Sequence, residues 1–203
     1  GLSVTGIINP GSQITNNNSK ANDTLVLTKP IGTGIITTAG KHGKVKDSVL
    51  ELAIDTMRAL NRYASESMVD IGVNSCTDVT GFGLLGHLKE MMDSSNKIAS
   101  INYSRIPILE GVIPLIKNEM VPGGTFKNLN SISENILFDS NIDDYQKILM
   151  ADAQTSGGLI ISVDTTKLPE LLKAINKNNI YEASVIGNVK DKESSSVSIE
   201  VSL

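Results

Sequence analysis

Short apolar runs, separated by polar or glycine-containing stretches, predict a set of strands along the chain. Leu25–Thr28 and Leu159–Val163 are compact runs of the kind that form buried strands. Four further segments have the composition or alternation of strands: residues 2–8, 98–103, 183–189 and 197–201. In the last of these, apolar residues alternate with serines and a glutamate, which suits a strand with one face in water.

Apolar residues spaced three and four positions apart predict amphipathic helices. The clearest example covers residues 46–65, where such a face is formed by Val49, Leu52, Ala53, Thr56 and Leu60. A second begins after Gly83 and ends by Ser94. Three more helices are predicted within 107–117, 143–150 and 167–178, and an aspartate at 143 or 144 is suited to cap the second of them.

The remaining segments lack a helical period. Residues 11–24 are rich in asparagine and predict a loop or a domain junction. We expect Ile35–Thr38 to extend the structure after a glycine turn, 69–73 to form a strand or turn, and 122–141 to form a long ordered loop. The mixture of strands and helices predicts an α+β or layered α/β/α domain.

Composition narrows the classes of function. The 203 residues are enough for one good core, or for one domain with a small appendage. With 18 lysines and arginines against 22 acidic residues, the net charge of −4 disfavours a nucleic-acid surface. No apolar run approaches the roughly 18 residues that span a membrane, and the start lacks the pattern of a signal peptide. We therefore predict a cytoplasmic protein without a nucleic-acid or membrane partner.

The stretch from Cys76 to Leu88 carries the most chemistry. It places an acidic residue, two hydroxyls and three glycines just ahead of the apolar helical run: Thr77, Asp78, Thr80, Gly81, Gly83 and Gly86. A carboxylate is a hard oxygen ligand suited to Mg²⁺. Glycines let backbone N–H groups approach an anion, and a helix N-terminus favours negative charge. The residues therefore indicate a metal or a phosphate at a helix start.

The same residues have two alternative interpretations. The three glycines match the G-x-G-x-x-G dinucleotide pattern, but that pattern also needs an acid at the end of the next strand. The predicted strand ends in Asn102, Tyr103 and Ser104, so NAD binding is excluded. The second alternative is that Asp78 or Thr80 caps the helix while the glycines allow close packing. The residues themselves leave this second alternative open.

Four segments together resemble the selenophosphate synthetase (selenide, water dikinase) family. Thr77–His87 resembles its signature, and three further segments agree in order and spacing: 25–34, 121–125 and 152–159. The wider superfamily includes aminoimidazole ribonucleotide synthetases, thiamine-monophosphate kinases and hydrogenase maturation proteins. The resemblance implies the C-terminal domain of the aminoimidazole ribonucleotide synthetase-like fold, a mixed sheet with flanking helices.

The resemblance also implies an activity and a site. The family makes selenophosphate from selenide, ATP and water and releases AMP and phosphate, and its members pair as homodimers. Aspartates hold its Mg²⁺ ions, and one of them falls on Asp78. We expect Thr77, Thr80, Gly81 and Gly83 to shape the cofactor-binding wall beside it. The family's nucleophilic cysteine or selenocysteine, the lysine that accompanies it and its other metal ligands belong to an N-terminal half, so none is placed here.

The same resemblance divides the chain. We expect residues 1–22 to contain the end of an N-terminal-domain strand and a linker, and 23–203 to form the C-terminal synthetase-like domain. A chain without the N-terminal half is expected to be inactive by itself. The alternatives are a non-catalytic binding or scaffold domain, or another ATP-dependent enzyme of the same superfamily.

Four other features carry weaker predictions. The loop 152–158 precedes a strand, unlike a phosphate-binding loop, and either lines the site or forms a tight turn. Lys29 is suited to pair with a phosphate or an aspartate, and a structural pairing is favoured. Cys76, the single cysteine, is predicted to be a buried apolar residue, and His87 to be packed or capping.

Overall fold

The computed structural model describes residues 3, 5–192 and 196–203. Within this part of the chain, seven strands form one mixed sheet in the order β2-β5-β1-β6-β3-β7-β4. Their bounds are β1 Thr24–Leu27, β2 Ser75–Asp78, β3 Lys97–Asn102, β4 Ile136–Phe138, β5 Leu159–Val163, β6 Ser184–Asp191 and β7 Ile199–Ser202. The helices are α1 Thr33–Lys41, α2 Asp47–Arg58, α3 Arg62–Ile71, α4 Gly83–Ser95, α5 Val112–Lys117, α6 Gly123–Ile132, α7 Asp144–Met150 and α8 Leu168–Asn178.

Strand β1 lies near the middle of the sheet and is buried on both faces. It pairs antiparallel with β5 on one side and with β6 on the other. Leu25 and Leu27 belong to the larger apolar cluster, while Val26 between them belongs to the smaller one. Successive side chains of a strand point to opposite faces, so one continuous apolar run supplies both clusters.

Helices cover the two faces of the sheet unequally. The larger cluster contains apolar residues of α1, α4, α5 and α7, whereas the smaller one contains residues of α3 and α8. The result is the predicted layered arrangement, a mixed sheet flanked by helices. No helix in the described ranges is long and apolar enough to cross a membrane.

Several predicted elements are confirmed to within a residue or two. Strand β5 and helices α7 and α8 lie where the periodicity placed them, and Asp143 closes a capping box at the start of α7. Of the strand predicted at 2–8, Leu2 and Val4 lie outside the described residues, and residues 3 and 5–8 form no strand. The proposed division at residue 22 stays a prediction.

Four other predictions were wrong. The strand or turn predicted at 69–73 is largely helical, because α3 continues to Ile71 and only Gly72 forms a turn. Ile35–Thr38 is not extended, because it lies inside α1. The helix predicted over 46–65 is two helices, since α2 ends at Arg58 and α3 begins at Arg62. The predicted loop 122–141 instead contains α6 and β4, so glycine and asparagine content misled the prediction where tertiary packing of Thr125 and Ile132 stabilises a helix.

Candidate functional site: the turn between β2 and α4

The candidate site is a sharp turn where strand β2 passes into helix α4. Beyond Asp78 the ladder with β5 continues through the Val79 N–H, which donates to the Gly158 carbonyl at 2.9 Å. The Val79 side chain is fully buried in the larger apolar cluster. Because side chains alternate along extended backbone, Asp78 and Thr80 point away from that cluster.

The outer part of the turn is open. Asp78 is exposed, and its carboxylate accepts no hydrogen bond from any residue in the described ranges. A Cβ on Gly81 would meet nothing within 4 Å. Phe82 is 64% exposed. Thr77 and Thr80 are half-buried beside them, so the structure brings the predicted site residues together around a solvent-facing carboxylate.

Gly83 differs from Gly81, because it is buried and needed for packing. Its φ of +72° lies in the left-handed region, and a Cβ there would stand 2.7 Å from the Ala151 carbonyl oxygen. The Gly83 N–H donates to the Thr80 carbonyl at 3.0 Å. The close-packing alternative therefore describes Gly83, while Gly81 remains accessible.

His87 lies on α4 and reaches back to the turn. Its Nε2 lies 3.0 Å from the Thr80 hydroxyl, and its ring is tilted against Phe82 with centroids 5.7 Å apart. Burial lowers the pKa of His87, and the charges of Asp78 and Glu90 act in the opposite direction. This position agrees with the prediction of a packed histidine, and it adds a contact to Thr80.

The loop 152–158 supports the turn from behind. The Gln154 N–H donates to the Thr80 carbonyl at 2.9 Å. Gly157 lies so close to the Val79 carbonyl that a Cβ would overlap it. Of the two alternatives for this loop, the described residues favour a tight supporting turn, although Thr155 and Ser156 are exposed.

The start of α1 is closed by two side chains of this same loop. Gln154 Oε1 accepts from the Gly32 and Thr33 N–H groups at 3.0 and 3.1 Å. Asp152 Oδ2 accepts from Gly34 and Ile35 at 3.1 and 3.2 Å. Four donors at the helix start are therefore satisfied from within the protein.

Asp152 is fully buried and connects three segments. Besides α1, its carboxylate accepts from the Thr125 hydroxyl on α6 at 3.2 Å and from Gln154 Nε2 at 3.0 Å. Burial raises the pKa of Asp152 to about 7, against the hydrogen bonds from Ile35, Gln154, Thr125 and Gly34, which lower it. The role of Asp152 was not predicted, since nothing in the local pattern shows that an acid at this position is buried.

Asn128 and Lys29 tie further segments to the same region. Asn128 Nδ2 on α6 donates to the Gly81 carbonyl at 2.8 Å and to the Ala151 carbonyl at 3.2 Å. No sequence signal marked it. Lys29 is buried, and its ammonium donates to the Thr56, Ala59 and Ser156 carbonyls at 3.2, 2.5 and 2.7 Å.

Lys29 therefore has a structural pairing, as predicted, but with carbonyl oxygens. Its contacts within the described residues include neither an aspartate nor any other acid. Burial lowers the pKa of Lys29.

Cys76 packs against the smaller apolar cluster. Burial, followed by the charge of Asp78, raises the pKa of its thiol to about 12. A thiol with this pKa is not a nucleophile at neutral pH.

Asp78 fits one part of a magnesium site. The described residues contain no group of three or more histidine, cysteine, aspartate or glutamate side chains that could hold a metal ion. Mg²⁺ is commonly held by one or two carboxylates together with waters and substrate phosphates. An exposed carboxylate beside an open glycine suits such a partial site, and it does not suit a closed metal cage.

Comparison with known proteins supports the fold and the family. Residues 20–200 match the family model described as AIR synthase related protein, C-terminal domain. A selenide, water dikinase of Caldanaerobacter subterraneus is 42% identical over 193 residues, which cover 95% of this chain and 56% of the relative. One from Clostridioides difficile is 41% identical over 192 residues, covering 95% of this chain and 55% of the relative. The chain thus spans about half the length of the curated relatives it matches.

Solved structures share the fold at low sequence identity. A thiamine-monophosphate kinase from Stenotrophomonas maltophilia aligns with a TM-score of 0.62 at 14% identity, covering 96% of this chain and 54% of the other. The hydrogenase maturation protein HypE in complex with ATP aligns with a TM-score of 0.58 at 17% identity, covering 88% of this chain and 45% of the other. By the match to its family model over residues 20–200, the chain belongs to the AIR synthase related protein family, as a C-terminal domain.

Proposed function

We propose that this chain is the C-terminal part of a selenophosphate synthetase, which makes selenophosphate from selenide, ATP and water and releases AMP and phosphate. The observation that carries the proposal is about 40% identity to relatives named selenide, water dikinase over nearly the whole chain. Three of the four segments behind the resemblance are joined by Gln154, which bonds to Thr80 and to the start of α1. The fourth is joined through Thr125, whose hydroxyl donates to Asp152. ATP as the substrate is supported by a structural neighbour that was solved with ATP.

In this proposal Asp78 supplies one magnesium ligand. Thr77 and Thr80 flank it with hydroxyls, and Gly81 leaves room for a phosphate oxygen to approach the backbone, while Gly83 fixes the fold of the turn. Bound Mg²⁺ would neutralise the charge that develops during phosphoryl transfer. The residues of this chain fix the backbone that carries Asp78, and the buried Val79 closes the inner side of the turn to water.

The remaining catalytic groups lie outside the described residues in this proposal. The described ranges contain no group of three or more histidine, cysteine, aspartate or glutamate side chains around Asp78, so in this proposal the other ligands are phosphates, waters or residues from the part of the relatives that this chain does not span. We accordingly expect this chain alone to release no AMP. A cytoplasmic homodimer is the proposed working form of the complete enzyme, as the resemblance implies.

The decisive experiment is Asp78→Asn in the complete enzyme, assayed by selenide-dependent AMP release. We expect a loss on the order of 100-fold or more, because charge stabilisation by a metal is worth several kcal/mol. The Mg²⁺ concentration needed for half-maximal rate should rise as well. Thermal unfolding should be nearly unchanged, since Asp78 is exposed and unbonded among the described residues.

Asp55→Asn is the matched control for this substitution. Asp55 is an exposed aspartate on α2 whose carboxylate accepts no hydrogen bond from the described residues, and its replacement should leave the rate unchanged. Near wild-type AMP release by the Asp78→Asn enzyme would contradict the metal-ligand role. Absence of any selenide-dependent activity in the wild-type enzyme would favour a scaffold domain or another ATP-dependent reaction.

A further inference from the structure

The contact between His87 and Thr80 joins the buried helix α4 to the open turn. His87 lies on the second turn of α4, among the apolar residues Leu84, Leu88 and Met91, and is itself 8% exposed. Its Nε2 lies 3.0 Å from the Thr80 hydroxyl. A buried imidazole nitrogen needs a hydrogen-bond partner, and here the partner is a residue of the candidate site.

The backbone of Thr80 is already fixed from two sides. Its carbonyl accepts from the Gly83 N–H at 3.0 Å and from the Gln154 N–H at 2.9 Å. The freedom left at this residue is the rotation of its side chain, which has several staggered positions. The bond to His87 selects one of them, so the histidine determines where the Thr80 hydroxyl points.

The Thr80 side chain lies on the same side of the backbone as the exposed carboxylate of Asp78. Asp78 and Thr80 are two residues apart on extended backbone, with the buried Val79 between them, and so share the outer face. The charge of Asp78 also acts on His87, which places the imidazole within electrostatic reach of the carboxylate. A hydroxyl held at this place can contact a metal-bound water or a phosphate oxygen.

We propose that His87 is a positioning residue of the site: through Nε2 it holds the Thr80 hydroxyl beside Asp78, ready for a phosphate oxygen or a metal-bound water. This inference rests on the proposed function, because it assigns His87 a role in the same site. His87 itself touches no substrate in this proposal and acts through Thr80 alone.

A double-mutant cycle in the complete enzyme tests this inference. The variants are His87→Leu, Thr80→Val and the two combined, assayed by selenide-dependent AMP release. Each single change should lower kcat roughly 10-fold, as expected for the loss of one hydrogen bond. The combined change should cost about the same 10-fold and not 100-fold, because the two residues act as one unit. KM for ATP should change less than kcat.

Conservative variants separate positioning from simple packing. Thr80→Ser keeps the hydroxyl, and His87→Gln places an amide near the position of Nε2, so both should retain most of the rate. If His87→Leu does not fold, the cycle is repeated with His87→Asn, which stays polar but is too short to reach Thr80. Unfolding temperatures of all variants are measured alongside the rates.

Independent, multiplicative effects of the two substitutions on kcat would overturn the inference. A full rate in a folded His87→Leu enzyme would also overturn it. Failure of the proposed function is recognised separately, because it appears as an absence of selenide-dependent AMP release in the wild-type enzyme. The double-mutant cycle can therefore disprove the role of His87 while the result for Asp78→Asn still supports the metal-ligand role.

Discussion

Two helix starts of this protein look alike in sequence and differ in what occupies them. Gly32-Thr33-Gly34 precedes and enters α1, and Gly81-Phe82-Gly83 precedes and enters α4. At α1, the side chains of Asp152 and Gln154 accept hydrogen bonds from the first four N–H groups. At α4, Gly81 faces open space and Asp78 stands exposed beside it.

The difference shows that a glycine-rich helix start is open to a ligand only when the protein's own side chains do not occupy it. Free N–H groups at a helix start attract an anion of any origin. At α1 these N–H groups are bound instead by side chains of the protein, among them the carboxyl group of Asp152, which comes from a distant part of the chain. The turn before α4 is the one of the two that retains an opening for a ligand.

The largest effect is expected from Gly34→Ala, which tests whether the start of α1 is closed. A Cβ at Gly34 would lie 2.6 Å from Asp152 Oδ1 and even nearer the Ala153 carbonyl oxygen. Because both neighbours are fixed, we expect a loss of about 3 kcal/mol in the free energy of unfolding. Urea unfolding followed by circular dichroism measures it.

Gly124→Ala is the matched control. Gly34 and Gly124 are each the second residue of a helix, α1 and α6, but a Cβ at Gly124 would meet nothing within 4 Å. Alanine there should be neutral or raise stability by up to about 1 kcal/mol. Equal costs at the two positions would mean that the closed start of α1 is not as tightly packed as its contacts indicate.

The second effect is a pH dependence that Asp152→Asn should remove. The pKa of Asp152 in the folded protein, about 7, lies above the ordinary value of 3.8. An unfolded chain therefore loses this proton at lower pH than the folded one. The stabilising contribution of the protonated acid is complete below pH 4 and is lost as the pH rises to about 7.

Asparagine does not titrate, so the difference in unfolding free energy between the two proteins isolates this carboxyl group. From pH 4 to pH 8 the difference should move in favour of Asp152→Asn by at least about 2 kcal/mol. Chemical unfolding at four or five pH values measures it. A difference that stays constant over this range would show that the pKa of Asp152 is not raised in the folded protein.

The smallest effect is expected from Thr125→Val, which removes one donor to the buried carboxylate. Thr125 is fully buried and its hydroxyl bonds to Asp152, whereas the exposed Thr155 has no hydroxyl partner among the described residues. At pH 8 we expect Thr125→Val to cost about 1.5 kcal/mol. Thr155→Val, the control, should cost under about 0.5 kcal/mol. A similar loss of unfolding free energy in both variants would mean that the bond from Thr125 to Asp152 does not stabilise the connection between α6 and α1.

The local sequence was sufficient to predict an element where the residues of that element themselves form its apolar pattern. The continuous apolar run of β5 predicted that strand nearly to the residue, and the apolar residues spaced three and four positions apart predicted helix α8 equally well. The cluster of Thr77, Asp78, Thr80 and Gly81 was also visible as a unit, because its members are neighbours in sequence. The layered fold followed from the order of such elements.

Elements that depend on distant partners could not be predicted. The break between α2 and α3 occurs where Lys29 binds the Ala59 carbonyl and Asn61 binds the Gly157 carbonyl at 2.8 Å. Helix α6 begins with two glycines and depends on the burial of Thr125 against Asp152. The local sequence around each of these positions does not contain the partner that determines its structure.

The long reach of these contacts also has a consequence for biosynthesis. The start of α1 is closed by groups 118 and 122 positions further along, and β1 lies between β5 and β6. A ribosome that has released α1 and β1 has therefore not yet made the residues that complete them. The pairing of β1 on both edges must wait until the chain through β6 has emerged, and in the meantime the apolar run of β1 is exposed to association with other nascent chains.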